Sequence, residues 1–231
     1  MNNLIIGETC LLSKQLKRLG IIDGPTKMFD DTLVNLDSVK LIIEHDFENI
    51  LKDEYLKFID YMFYPEHNIH YPKWINNIYS IPDSTIYSWP IYSPLFHHDN
   101  ATQQERESYL RKIERTKQIF ENKDTSTTLF YYHRQHNNSD YNTIITKYIE
   151  FIQWVNKKYN RLQVNQFKGV LITNHIEPTK TLTLDLITSN LIHGHFTSPH
   201  SWIGIDDNWD AHTDNELFDQ FFDSNIYKSF L

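Results

Sequence analysis

Residues 2–20, with the sequence NNLIIGETCLLSKQLKRLG, pass from an apolar run into a helical pattern. The run Leu4–Ile6 is typical of a short buried strand. After Gly7, apolar residues recur at spacings of four and three, which indicates an amphipathic helix: Leu12, Leu16 and Leu19. The stretch therefore predicts a strand, a turn and a helix, the unit from which α/β sheets are built.

The only cysteine of the chain, Cys10, lies at this strand-to-helix transition. Thr9 is the predicted N-cap and Gly20 the predicted end of the helix, so Cys10 falls in the first turn. Free N–H groups and the positive end of the helix dipole stabilise a thiolate there and can bind an oxyanion. Free cysteines are also often small buried apolar residues. Both interpretations, nucleophile and structural residue, are open at this point.

The alternation of strands and helices continues along the rest of the chain. Helices are predicted over 33–43, 103–121, 148–159 and 214–222, and strands over 127–132, 170–172 and 182–186. We therefore predict a single α/β domain over residues 1–231. Its sheet is largely parallel and flanked by helices, with the cysteine at the first strand-to-helix turn.

Residues 60–100 differ in composition from their surroundings. They hold five of the eight prolines together with many tyrosine, tryptophan and histidine residues: Pro65, Pro72, Pro82, Pro90 and Pro94 are the prolines. So many large rings argue against a disordered linker. The sequence predicts an irregular, aromatic-rich loop region that contributes to function.

Charge and cysteine content exclude several classes of protein. A formal net charge of −8 argues against a protein that binds the nucleic-acid backbone. One cysteine excludes an internal disulfide framework and fits a reducing compartment. The chain shows neither a secretory signal pattern nor an apolar run long enough to span a membrane. We therefore expect a cytoplasmic protein without nucleic-acid or membrane partners, while its oligomeric state stays open.

Twelve histidines offer many candidates for an acid–base partner of a thiol. His97 and His98 stand out because Asp99 follows them directly, although Asp99 suits a helix cap as well as an imidazole partner. Two close histidine pairs, His193/His195 and His133/His136, raise the hypothesis of a two-histidine, one-carboxylate metal site with Asp99 or Asp206. Neither spacing matches a specific zinc motif, so no metal is predicted.

The predicted helix over 103–121 carries Arg111 and Arg115 one turn apart. Such a pair can grip a phosphate or carboxylate, whereas a charged helix face is more often simply solvated. The chain has neither a phosphate-binding P-loop pattern nor a dinucleotide-binding glycine pattern. Nucleotide hydrolysis and dinucleotide redox chemistry therefore have no support.

Taken together, these stretches resemble a family of bacterial and giant-virus proteins catalogued as papain-like cysteine peptidases. The resemblance rests on a Gly-x-x-Cys turn, a Phe-Asp pair, a Phe-x-His-Asp element and an Arg-x-x-x-Arg helix. The matching residues are Gly7 and Cys10, Leu16-Lys17-Arg18, Phe29-Asp30, Phe96 to Asp99, and Arg111 with Arg115. The proline and tryptophan that flank the family's Phe-Asp pair are missing here.

The resemblance implies a nucleophilic Cys10 with His98 as its base and Asp99 or Asp30 as the residue that orients the imidazole. It also implies substrate or cofactor contacts from the remaining matched positions: Gly7, Thr9, Phe29, His97, Arg111 and Arg115. The Gly-x-x-Cys opening is similar as well to that of capsule-polysaccharide acetyltransferases, which bind coenzyme A. If the protein is viral, it is expected in the host cytoplasm.

We therefore expect an acyltransferase that moves an acetyl group from acetyl-coenzyme A to an amine or hydroxyl of a sugar or sugar nucleotide, as in polysaccharide biosynthesis. Missing secretion features, the aromatic-rich region and the absence of the local papain motif favour transfer over peptide cleavage. Direct transfer with His98 as base, without an acyl-cysteine, is a variant. The alternatives are a cysteine peptidase or amidase with the same residues, and a non-catalytic carbohydrate- or protein-binding module.

Overall fold

The computed structural model describes residues 2–7, 10–32, 34–64, 69–79, 81, 96–97, 102–135, 141–162, 166–199 and 215–231. The strands are β1 (Asn2–Ile5), β2 (Leu56–Tyr64), β3 (Ile69–Asn76), β4 (Phe96–His97), β5 (Thr127–Gln135), β6 (Phe167–Ile176), β7 (Thr181–Thr188) and β8 (Leu191–Ser198). The helices are α1 (Cys10–Arg18), α2 (Leu36–Glu44), α3 (Gln103–Glu121), α4 (Asn142–Lys158), α5 (Asn215–Asp223) and α6 (Asn225–Phe230), with a 3-10 helix at Met28–Asp31.

The main sheet has the strand order β1-β5-β6-β8-β7. Neighbouring strands are parallel from β1 to β8, and only the edge strand β7 is antiparallel to its neighbour. The parallel strands therefore end at a common carboxyl edge. The predicted α/β class, with a largely parallel sheet flanked by helices, is confirmed.

Each face of this sheet packs against its own set of helices. Helices α2, α3 and α4 bury one face, where Tyr131 and Leu171 are central strand residues. Helices α1, α5 and α6 bury the other, where Phe130 and Ile172 are central. Tyr131 and Phe130 point to opposite faces because side chains alternate along a strand. The sheet thus packs between two apolar layers, one on each face.

Local capping explains where the helices begin and end. Thr102 and Glu105 form a reciprocal capping box at the start of α3, so the observed helix has the predicted bounds. Gly20 has a φ of +66°, and Ile21 donates its N–H to the carbonyl of Leu16 at 2.9 Å. This left-handed glycine ends α1, as the sequence predicts.

The second helix starts later than the predicted residue 33. The Asn35 side chain accepts a hydrogen bond from the N–H of Ser38 at 2.8 Å, and α2 therefore begins at Leu36. An asparagine N-cap fixes the start more strongly than the apolar pattern does.

The prediction of an irregular region over residues 60–100 is wrong for its described part. Strands β2, β3 and β4 form a separate antiparallel sheet in that order. Pro72 lies within β3, where a proline normally argues against a strand with neighbours on both sides. Within the described residues, β4 pairs with Lys73 and Trp74, so the missing N–H of Pro72 costs no hydrogen bond in this pairing.

The final third of the chain holds two elements beyond the predicted ones, β8 and α6. Gly194 interrupts the apolar pattern of β8 because a Cβ there would lie 2.4 Å from the Phe221 ring of α5. Among the described residues, no helix combines the length and the apolar content needed to cross a membrane.

Candidate active site at the carboxyl edge of the sheet

Helix α1 begins at Cys10, with only four residues between it and the last residue of β1. The Ile6 N–H donates to the Phe130 carbonyl at 2.9 Å, which extends the pairing of β1 with β5 beyond the strand itself. The backbone of Cys10 thus stands in the first turn of a helix at the carboxyl end of a parallel strand, as the sequence predicts. Its side chain and residues 8–9, including Thr9, lie outside the described part of the chain.

Gly7, which follows β1, packs closely against two other parts of the chain because it has no side chain. A Cβ at this position would lie 2.5 Å from the Tyr131 ring and 2.7 Å from the carbonyl oxygen of Val34. The Tyr131 hydroxyl in turn accepts the N–H of Leu36 at 3.1 Å. The turn, strand β5 and the start of α2 are therefore packed against one another, and only glycine fits between them.

The far end of α1 is tied to α5. Gln15 donates to Asn215 Oδ1 at 2.7 Å, and Arg18 forms an ion pair with Asp219 at 2.5 Å. Leu12 and Leu16 pack fully buried on the sheet face below. The helix that begins with Cys10 is thus held by packing and by polar contacts.

Asp30 and Phe29 belong to the 3-10 helix, which packs against α1 and α3. The Asp30 carboxylate is 2% exposed and accepts the N–H of Lys27 at 3.0 Å. The Phe29 ring is fully buried, with its centroid 6.1 Å from that of Phe47. The structure therefore shows Asp30 as a backbone acceptor and Phe29 as a core residue, both next to the helix that starts at Cys10.

Arg111 and Arg115 of α3 do not share one ligand position in the structure. Arg115 donates from Nε and Nη2 to the Thr26 carbonyl, at 3.0 and 2.6 Å, while Arg111 is exposed. Arg115 thereby fixes the turn that leads into the 3-10 helix. For Arg111 and Arg115 to bind one phosphate together, Arg115 would have to break its hydrogen bonds to the Thr26 carbonyl.

The histidine predicted as the base, His98, and its neighbour Asp99 lie outside the described residues. His97 is placed by its backbone in β4, opposite Lys73 of β3. Among the described histidines, His133 stands on β5, the strand next to β1. It is 5% exposed, and its ring stacks on that of Tyr131 at 6.4 Å between centroids.

Two more strands contribute a polar cluster at the same edge. Thr173 of β6 lies opposite His195 of β8 in the register, and its Oγ1 is 2.8 Å from His195 Nδ1 and 2.9 Å from His193 Nε2. Tyr141, at the N-cap of α4, stacks on His195 with ring centroids 4.8 Å apart. We name Thr173, His193, His195 and Tyr141 the histidine cluster.

Burial keeps the imidazoles of the histidine cluster neutral. Burial, and then the charge of His195, lower the pKa of His193 to about 4, although Asp185 opposes the shift. Burial, and then His175, lower the pKa of His195. Desolvation disfavours the charged form of a base, which explains both directions.

The sequence pattern of His193 and His195 suggests a metal site. Within the part of the chain that the structure describes, no group of three or more metal-ligating side chains comes together. The signal for the observed arrangement is the His-x-His spacing itself, because residues two apart in a strand share a face.

A mostly parallel α/β sheet with a cysteine at the first helix start defines a class in which ligands bind at the carboxyl edge. Residues 3–177 match the profile of the family described as "Putative papain-like cysteine peptidase (DUF1796)", and the chain belongs to this family. No curated protein and no solved structure matches the chain. The match contains Cys10, Asp30 and Arg115 but ends before β7 and β8.

Proposed function

We propose that this protein is a cysteine peptidase or amidase that cleaves amide bonds with Cys10 as its nucleophile. The observation that carries the proposal is the start of α1 at Cys10, at the carboxyl edge of a parallel sheet, in a chain of the papain-like family. A thiolate in the first turn of a helix is stabilised by the helix dipole and by the free N–H groups there.

The proposed reaction follows the general chemistry of thiol nucleophiles. The Cys10 thiolate attacks the amide carbon, and the first N–H groups of α1 bind the oxyanion that forms. A protonated imidazole gives its proton to the leaving amine, which leaves an acyl-cysteine that water then hydrolyses. His98 is the proposed imidazole, with Asp99 or Asp30 orienting it.

Strand β5 offers a second histidine for this role. His133 lies near the end of the strand adjacent to β1, and its ring is on the face that carries Tyr131 and the Gly7 contact. Comparing His98→Ala with His133→Ala tests which imidazole serves Cys10. The true partner should lower the rate roughly 100- to 10,000-fold, as general acid–base catalysis does.

Acetyl transfer from coenzyme A, expected from the sequence, has no support in the comparisons. It would use the same thiolate and histidine, so the two reactions differ in donor and acceptor rather than in machinery. Arg111 is an exposed cation that a donor phosphate could contact. The experiment therefore also tests acetyl-coenzyme A with sugar-nucleotide acceptors, as the alternative to amide cleavage.

The test combines thiol labelling with activity. Because Cys10 is the only cysteine, a single iodoacetamide adduct in the intact mass reports on its accessibility alone. The native protein is then assayed with a fluorogenic peptide and amide library, and separately with acetyl-coenzyme A, and acyl adducts are sought by intact mass. We expect amide cleavage that is lost in Cys10→Ser, since a serine hydroxyl is far less ionised near neutral pH.

Several outcomes would overturn the proposal. Cleavage that survives in Cys10→Ala would remove Cys10 from the mechanism. An acetyl adduct from acetyl-coenzyme A without any amide cleavage would establish acyl transfer instead. A native protein that resists iodoacetamide and shows neither reaction would support the non-catalytic binding module.

A further inference from the structure

The histidine cluster contains a hydrogen-bonding constraint that fixes where its protons lie. Thr173 Oγ1 is within 3 Å of a nitrogen on each imidazole, His193 Nε2 and His195 Nδ1. One hydroxyl can donate only one proton, so it donates to one ring and accepts an N–H from the other. Two directions of donation are therefore possible, and they leave opposite tautomers on His195.

Asp185 decides between the two directions. Strand β8 lies between β6 and β7, and Asp185 of β7 is directly opposite His193 in the register. His193 thus has Thr173 on one side and a carboxylate on the other. The charge of Asp185 acts on His193 and favours a proton on its ring. Because Nε2 is the nitrogen beside Thr173, we assign this proton to Nδ1.

If the proton of His193 is on Nδ1, its Nε2 must accept a hydrogen bond from the Thr173 hydroxyl. Thr173 Oγ1 then accepts the Nδ1–H of His195, and the His195 Nε2 is left unprotonated. Among the described residues, no hydrogen-bond partner contacts this nitrogen. Thr173 is fully buried and His193 is 2% exposed, whereas His195 is only half-buried. The hydrogen-bonded series His193–Thr173–His195 therefore leaves an unshared lone pair on Nε2 of His195, the most exposed of the three.

The surroundings of His195 suit a proton acceptor. Tyr141 stacks on its ring and fixes its plane, and Tyr141 is also the N-cap of the 17-residue helix α4. The positive end of that helix dipole disfavours an imidazolium and favours negative charge developing on a bound oxygen. His175, paired with Glu177 at 3.4 Å, is the other titratable group whose charge acts on His195.

We propose that His195 is the general base of a second acid–base site, which takes a proton from a hydroxyl group of a substrate or from water. In this step the O–H bond breaks, the proton joins His195 Nε2, and the oxygen keeps the electron pair. The positive charge then stays on His195, whose Nδ1–H continues to donate to Thr173 Oγ1. His195 lies three strands from β1, and Thr173, on the strand next to that of His195, is opposite His133 of β5 in the register.

The tautomer gives a direct test on the protein itself. Long-range proton–nitrogen NMR of the ¹⁵N-labelled protein near pH 7 identifies which ring nitrogen of His195 carries the proton, with His195→Gln for assignment. We expect a protonated Nδ1 and an unprotonated Nε2. Asp185→Asn, an exposed and isosteric change, should shift His195 toward the Nε2–H tautomer. A wild-type His195 with its proton on Nε2 would overturn the proposal.

Chemical reactivity tests whether the lone pair is available. Diethyl pyrocarbonate acylates unprotonated imidazole nitrogens, and peptide mapping separates His195 from His193 by fragment masses. We expect His195 to react and His193 to be protected, with a several-fold loss of His195 reactivity in Thr173→Val and little loss in Thr173→Ser. Equal reactivity in all three proteins would overturn the proposal. Neither readout depends on Cys10, so a failure of the proposed amide cleavage would leave both unchanged.

Discussion

Gly7 shows how a single residue fixes the geometry around Cys10. Its missing side chain lets the Tyr131 ring and the Val34 carbonyl close over the turn. We expect Gly7→Ala to lower the free energy of unfolding by about 1–3 kcal/mol or more, because neither a ring held by a hydrogen bond nor a backbone oxygen yields easily. Urea unfolding followed by circular dichroism measures the change.

The matched control is Gly20→Ala. Gly20 has a positive φ but open space around its Cα, so alanine there meets only backbone strain of about 1 kcal/mol. If Gly7→Ala were no more costly than Gly20→Ala, the close approach to Tyr131 would not matter for stability.

His193 makes the stability depend on pH. Its pKa of about 4 in the folded protein lies below the ordinary 6.5 that applies to the unfolded chain. Between these values the unfolded state binds more protons, so stability is full above pH 6.5 and falls as the pH drops toward 4. The total effect is about 3 kcal/mol at most. Urea unfolding at pH 7, 6, 5 and 4 should show a slope that is reduced in His193→Gln.

The exposed His45 provides the comparison for this slope. His45→Gln should leave the pH dependence close to that of the wild type. A slope that is the same in His193→Gln as in the wild type would place the acid sensitivity elsewhere in the molecule.

At the scale of elements, Arg161 joins α3 to the main sheet. It is 1% exposed and donates to the carbonyls of Phe120 at 3.0 Å and Thr125 at 3.1 Å, and to that of Asn122. Its guanidinium carbon lies 4.2 Å from the centroid of the Phe167 ring in β6. The positive charge thus stands at the carboxyl end of α3, where the helix dipole favours it.

We expect Arg161→Met to cost about 3 kcal/mol or more in the free energy of unfolding, because several buried carbonyls lose their donor at once. Arg18→Met, which breaks the solvent-exposed pair with Asp219, should cost less than about 1 kcal/mol. Urea titration of both variants measures the difference. Similar costs in the two would mean that burial adds nothing to the Arg161 contacts.

Element prediction from the sequence succeeded where local signals decide the structure. The capping box at Thr102 and the left-handed Gly20 mark their helix ends in the sequence itself, and the structure agrees. Strands β3 and β8 were not predicted from the sequence, because Pro72 and Gly194 normally argue against a strand. Their places depend on neighbours, the short β4 and the Phe221 ring, that a local pattern does not reveal.

The same distinction between local and long-range signals applies to the candidate site. The position of Cys10 at a helix start follows from the Leu and Gly pattern around it, so the sequence predicts it. The Thr173 contact to both His193 and His195 depends on the β6–β8 register, which joins residues about twenty apart across a crossover. No local pattern in the sequence encodes this register.

At the scale of the whole molecule, the last fifty-odd residues complete a fold whose family match ends at residue 177. They supply β7, β8, α5 and α6, which cover one face and one side of the sheet through Ile192, Phe196, Phe218 and Phe221. We expect a protein cut after residue 177 to be insoluble or unfolded. Strand β6 would lose its neighbour β8, and the sheet face that α1 shares with α5 and α6 would lose both of those helices.

Solubility, circular dichroism and the NMR dispersion of residues 1–177 against the full chain measure this dependence. A soluble fragment with a cooperative unfolding transition would show that the matched segment is a folding unit by itself. A cut after residue 223, which removes only α6, is the milder comparison.

The contact of Gln15 with Asn215 joins residues 200 positions apart in the chain. During synthesis on the ribosome, α1 emerges early but gains this anchor and the Arg18–Asp219 pair only after nearly all other elements exist. Contacts of such long sequence separation form late, since the loop between them must close first. The helix that begins with Cys10 therefore reaches its final setting as one of the last events of folding, and an unfinished chain carries the cysteine without the anchors that hold its helix in place.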